Sequence, residues 1–130
     1  MELEFSTKLT YVPKFNGNLD ASPDERFSVV YKNPTPSMKS RLIGRPELRF
    51  RYDAEGRVEG GDTVIQNDRK AIVDEMIIRI DGLAYKLDGE KKTISNAKTL
   101  WDAPVVYDGL IDELAEFFKD KLQQKVQEKN

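Results

Sequence analysis

The strongest constraint on the fold is an apolar stripe near the C-terminus. Tyr107, Leu110, Ile111, Leu114, Phe117, Phe118, Leu122 and Val126 recur at three- and four-residue spacing. That spacing lines one face of an α-helix and no face of a strand. The helix it predicts, over residues 106–126, begins among Asp102, Asp108, Asp112, Glu113 and Glu116 and runs into Lys119, Lys121, Lys125 and Lys129. Acids near the start and bases near the end both complement the helix dipole. Beyond Phe118 only Leu122 and Val126 remain apolar, so the last two turns are expected to project from the domain. Residues 121–130 would then form a flexible end that a partner or a second copy orders.

In the first half the period changes from helical to two. In LEFSTKLTYV, Leu3, Phe5, Thr7, Leu9 and Tyr11 share one face, which predicts a strand ending near Val12. Pro13 cannot donate to a ladder, and Asn16-Gly17-Asn18 favours positive φ. ERFSVVYKN repeats the pattern with Phe27, Val29 and Tyr31, and the turn-rich NLDASPDE between them suits antiparallel neighbours. A short helix is expected at about 37–43, limited by Gly44 and Pro46. ELRFRYD then alternates again, with Leu48, Phe50 and Tyr52 opposite Arg49 and Arg51. Ala54-Glu55-Gly56 turns it back into RVEGGDTVIQ, where Gly60-Gly61 marks either a bulge or a loop tip.

Asn67 or Asp68 is suited to cap a helix over 68–80, in which Ile72, Val73, Met76, Ile77 and Ile80 form one stripe. Asp81-Gly82 stops it. AYKL and EKKTI flank Asp88-Gly89 as a two-residue hairpin, and Ser95 or Asn96 caps a short helix through Leu100 and Trp101. The elements add up to one α+β domain over residues 1–130. An antiparallel sheet drawn from the first 66 residues is expected to pack against the C-terminal helices. The expected core is Leu3, Phe5, Leu9, Phe27, Val29, Phe50, Ile72, Met76, Ile80, Leu110, Leu114 and Phe118.

Composition removes several kinds of chemistry. The 130 residues include neither cysteine nor histidine, which excludes disulfides, thiolate metal sites, cysteine nucleophiles and imidazole acid–base catalysis. No metal or cofactor is expected. Lys and Arg number 21 against 23 Asp and Glu, a net charge of −2, which argues against a dedicated nucleic-acid binder. MELEFSTKL lacks the basic and apolar regions of a secretory signal, and no apolar run reaches the roughly 20 residues of a membrane span. An intracellular protein without membrane contact is the expectation.

No catalytic residue stands out. Asp62, Asp68, Asp74 and Glu75 are close in sequence, but they fall on turns, at a cap and on the polar face of a helix. Paired-carboxylate chemistry needs two groups held apart in different environments. Gly60-Gly61-Asp62 lacks the Lys-Ser/Thr that follows a phosphate loop, and Asp81-Gly82 and Asp88-Gly89 lack the ligand alternation of a calcium loop. Arg49 and Arg51 lie in a basic stretch from Lys39 to Arg57, where arginines near aromatics can meet phosphates or bases. Strand alternation sets them opposite Phe50 and Tyr52, so solvent or acids elsewhere in the fold are their expected surroundings. Segregated charge of this kind can also drive head-to-tail self-association. Trp101 is either a buried anchor or an exposed hot spot. The candidate partner-binding residues are Trp101, Phe117, Leu122, Val126, Arg49 and Arg51.

TKLTYVPKFNGN, SPDERFSVVYKNPT and the C-terminal IIRIDGLAYKLDGEKKTISNAKTLWDAPVVYDGLIDELAEFF together resemble small tail-region proteins of long-tailed bacteriophages. The pieces that carry the resemblance are Tyr11-Val12-Pro13, Gly17-Asn18, Pro34-Thr35, and Asp81-Gly82-Leu83 followed by Asp88-Gly89-Glu90. The pattern is similar to the tail assembly chaperone group. That resemblance implies a non-enzymatic protein of the bacterial host cytoplasm that binds the tape-measure protein or tail-tube subunits, with no catalytic residues to carry over. Some members of the group are largely helical, whereas this chain opens on alternating strands. A structural subunit of the tail or head–tail junction is therefore the alternative.

Overall fold

A computed structural model of the chain describes residues 1–44, 46–65 and 68–124. The fold is α+β, with antiparallel strands drawn largely from the first part of the chain and the longest helix at its C-terminal end. Strand β1 (Lys8–Tyr11) pairs with β2 (Ser28–Lys32), and β2 pairs on its other edge with β5 (Ile77–Asp81). Helix α1 (Pro36–Leu42) follows β2, capped by the Thr35 hydroxyl, which accepts from the Met38 amide at 3.2 Å. Two separate hairpins complete the strands: β3 (Pro46–Tyr52) with β4 (Val58–Ile65), and β6 (Leu83–Leu87) with β7 (Glu90–Ile94). The remaining helices are α2 (Arg69–Met76), α3 (Ala97–Trp101) and α4 (Asp108–Gln123).

Alternation decides the core face of the sheet. Val29, Tyr31, Ile77 and Ile80 join Leu110, Ile111, Leu114, Phe118 and Leu122 of α4 and Ile72, Val73 and Met76 of α2 in one buried cluster. Lys8, Thr10 and Lys32 point the other way and are exposed. Tyr11 stacks on Phe117 with ring centroids 3.8 Å apart, and its hydroxyl donates to the Glu113 carboxylate at 2.6 Å. The same oxygen accepts the Lys14 amide at 2.7 Å, so one carboxylate of α4 fixes the end of β1. Burial, and then this bond, push the Tyr11 phenol well above its ordinary pKa.

Local signals set the turns. Asn16 and Gly17 take positive φ, and the buried Asn18 amide donates to the Pro13 and Phe27 carbonyls while its oxygen accepts the Phe27 amide. Asp88 and Gly89 are both left-handed, as a two-residue hairpin requires. Asp68 and Asn96 cap α2 and α3, the latter in a reciprocal box with Thr99. Asn67 lies outside the described residues.

Four expectations are corrected. The first concerns the helix expected over 68–80, which stops at Met76, with Ile77–Asp81 continuing as a strand. Ile77, Ile78 and Ile80 are β-branched and fit a pleated surface better than a helix. The pairing with β2 shifts register between Val30 and Tyr31, leaving Ile78 as the extra residue. That bulge puts Ile77 and Ile80, three apart, on the same core face, and so imitates helical spacing. The main sheet therefore draws β5 from beyond residue 66.

The second correction is the opening strand. Only Lys8–Tyr11 is paired, and Leu3 and Phe5 are 68% and 77% exposed. Strand β2 ends at Lys32, and Pro34 and Pro36 turn the chain into α1, so β2 offers no further ladder to residues 1–6. Among the described residues, only the Ser6 carbonyl of that segment is met, by the Asn33 side-chain amide at 2.9 Å. The third is Phe50, expected in the core and found exposed on the β3–β4 hairpin. The fourth is Leu122, expected on a projecting helix end and found buried in the main cluster. Val126 lies outside the described residues.

Candidate functional site

The β3–β4 hairpin forms an arm whose faces differ in chemistry. Register pairs Leu48 with Thr63, Phe50 with Gly61, and Tyr52 with Val58 on one face. It pairs Arg49 with Asp62 and Arg51 with Gly60 on the other. The shift between Arg51 and Tyr52 leaves Glu59 as the extra residue, which twists the ribbon before its turn. Gly60-Gly61 is thus no loop tip but lies within β4, with Gly60 directly at the bulge, and its bare backbone makes room for cross-strand side chains. A Cβ on Gly61 would sit 3.5 Å from Phe50 Cδ1 and 3.7 Å from Leu48 Cδ1, and one on Gly60 would sit 3.0 Å from Arg51 Nη2. The turn is fixed by Asp53, whose Oδ1 accepts the Glu55 and Arg57 amides at 2.9 Å each.

The apolar face of this arm is open. Leu48, Tyr52 and Val58 are each about 60% exposed and Phe50 is 50% exposed. Aromatic side chains offer about 150–250 Å² apiece. The four together expose on the order of 400 Å², the size at which a surface patch commonly marks an interaction site. A lone two-stranded hairpin is also marginal in water and gains from a covering layer. The signal was present in the sequence as alternation, but alternation does not say whether a second layer exists.

Five of the six residues singled out from the sequence are described, and they fall in separate places. Trp101 is half-buried and anchors α3 on α2: its Nε1 donates to Asp74 at 2.8 Å, with Lys70 Nζ 5.0 Å and the Arg69 guanidinium 5.5 Å from the ring centroid. Phe117 is held between Tyr11 and the edge of Tyr31. Leu122 is buried and presents nothing to a partner. Arg49 and Arg51 are exposed on the polar face of the arm, where Arg51 Nε lies 3.8 Å from Asp62. Within the basic stretch, Arg51 meets Asp62 once β4 folds back on β3, while Arg41 pairs with Glu75 of α2 and Arg57 with Glu55 of the turn.

The neighbouring carboxylates serve structural roles. Asp74 accepts from Trp101 and Lys70, and Asp68 caps α2. Glu75 accepts from Arg41 at 3.0 Å with Lys32 3.8 Å away, and the Arg41 bond holds its carboxyl below the usual range. Among the described residues no cluster of three or more acids has metal-binding geometry, and no helix is long and apolar enough to cross a membrane.

A second surface lies beside β1. A groove of about 670 Å³ is lined by Phe5, Pro34, Met38 and Ile78, with Lys8 and Lys32 among its polar walls. Those two lysines are direct cross-strand partners. The sequence positions of Lys8 and Lys32 gave no hint of this contact, which strand register alone creates.

No protein-family model matches the chain, and neither a curated protein nor a solved structure matches it.

Proposed function

We propose that the protein is a non-enzymatic assembly factor of the phage-tail kind, using the apolar face of the β3–β4 arm to hold a client during tail assembly. The single observation behind this reading is the open face formed by Leu48, Phe50, Tyr52 and Val58, which no other part of the described chain covers. The resemblance to tail assembly chaperones supplies the client class: a tape-measure protein or a tail-tube subunit, met in the cytoplasm of a bacterial host. The carboxylates nearest to an acid–base arrangement are tied into helix caps and ion pairs, which favours binding over catalysis. The ion pair on Arg51 favours protein contacts over specific nucleic-acid binding.

Co-expression with a tape-measure protein tests the proposal. Leu48→Asp with Phe50→Asp should abolish capture while leaving the far-ultraviolet circular dichroism of the purified variant unchanged. Undiminished capture would remove the arm from the binding surface. The composition of purified virions distinguishes the alternative reading, because a structural subunit stays in the particle and a chaperone does not.

A further inference from the structure

The tip of the arm and the groove carry complementary properties. The end of the arm is acidic: Asp53, Glu55 and Glu59 accompany a single cation, Arg57, which lies 3.9 Å from Glu55. Glu59, the bulge residue, has no ion pair among the described residues, and Tyr52 and Val58 expose apolar area beside it. The groove is the converse. Its apolar residues are accompanied by Lys8, which has no ion pair among the described residues, and by Lys32, which shares Glu75 with Arg41. Lys8 and Lys32 stand directly opposite on adjacent strands, and like charges so placed are destabilising. An acidic occupant would relieve that repulsion.

We propose that the tip of the β3–β4 arm, led by Tyr52, Val58 and Glu59, docks into the Phe5–Lys8–Lys32–Met38 groove of a second copy of this chain. Among the described residues, no arm residue lines the groove within one copy. An arm strand of seven residues is about 23 Å long at the usual strand rise, and a paired ladder cannot fold its tip back without breaking. Each copy thus offers one tip and one groove: a reciprocal exchange closes as a two-fold dimer, and an exchange that does not close at two builds larger rings or open chains. A tip of this size buries less than the roughly 1,200 Å² typical of stable interfaces, which makes the association dependent on concentration. The contact does not rest on the identity of any client, and it is tested with the purified protein alone.

Sedimentation velocity of the full chain, from roughly 10 μM to 1 mM, covers the affinities expected of so small a contact. The wild-type mass should rise from that of the monomer to that of a dimer or beyond. A tip variant, Tyr52→Ser with Glu59→Gln, and a groove variant, Lys8→Gln with Lys32→Gln, should each associate at least tenfold more weakly. Mixed together, the two variants should form a one-to-one dimer and stop, because the mixture contains one intact tip and one intact groove per pair. A wild-type chain that stays monomeric overturns the proposal. So do variants that associate like wild type, or a mixture that does not pair. In those cases the groove's occupant is a different protein.

Discussion

Helix α4 and the β3–β4 arm both present an apolar stripe, and the two stripes meet opposite surroundings. Leu110, Leu114 and Phe118 are fully buried, whereas Leu48, Phe50, Tyr52 and Val58 leave half or more of their surface in water. The difference does not lie in residue type, because Leu and Phe appear in both. It lies in what each element can reach. α4 crosses the face of β2 and β5 and meets α2, so its stripe is covered from two sides. Among the described residues the strands of the arm pair only with each other, and a two-stranded ribbon has no second layer of its own. One region holds the domain together, and the other leaves its apolar face in water.

The sharpest way to break this comparison is to truncate a side chain in each region. Leu114→Ala should cost about 2–5 kcal/mol in denaturant melts, because a fully buried leucine leaves a cavity behind. A loss under about half a kcal/mol, the scale of surface changes, would mean that α4 does not anchor the core. Leu122→Ala should also fall toward the lower end of that range, about 2 kcal/mol, since Leu122 is 3% exposed. A negligible change there would return the end of the helix to the surface.

Tyr11→Phe should cost about 1 kcal/mol by removing the hydroxyl bond to Glu113. The folded state holds the Tyr11 proton more tightly than the unfolded state does. The stabilisation is therefore complete below about pH 10, the unfolded value, and declines as pH rises above it. Wild-type stability should fall over that alkaline range more steeply than that of Tyr11→Phe, and parallel profiles would show that the phenol is not coupled to folding. Glu75→Gln should cost less than about 1 kcal/mol, since the carboxylate is partly exposed and its partners are surface cations. Its lowered pKa makes that contribution full above about pH 4.3 and lost as pH falls through the folded value. The smallest effect belongs to the arm: Phe50→Ser should change stability by less than about half a kcal/mol. A large loss would show that its apolar face packs on the body after all.

Local chemistry was legible in the sequence wherever a few adjacent residues settle the backbone. Asn16-Gly17, Asp88-Gly89, the Asp68 and Asn96 caps and the stripe of α4 from Leu110 to Phe118 each follow from side-chain geometry within a few positions. Tertiary structure decided the rest. The Ile78 bulge turned an apparent helical stripe into strand β5, because β2 offered a second edge to pair with. The length of β2 set how much of the alternating N-terminal segment could pair, and left Leu3 and Phe5 outside the core. Alternation likewise specified the faces of β3 and β4 but not which of them would be covered. Periodicity fixes which side chains share a face, since that depends only on the backbone repeat. Whether a face is buried depends on a second element arriving from elsewhere in the chain, and that is a property of the whole fold.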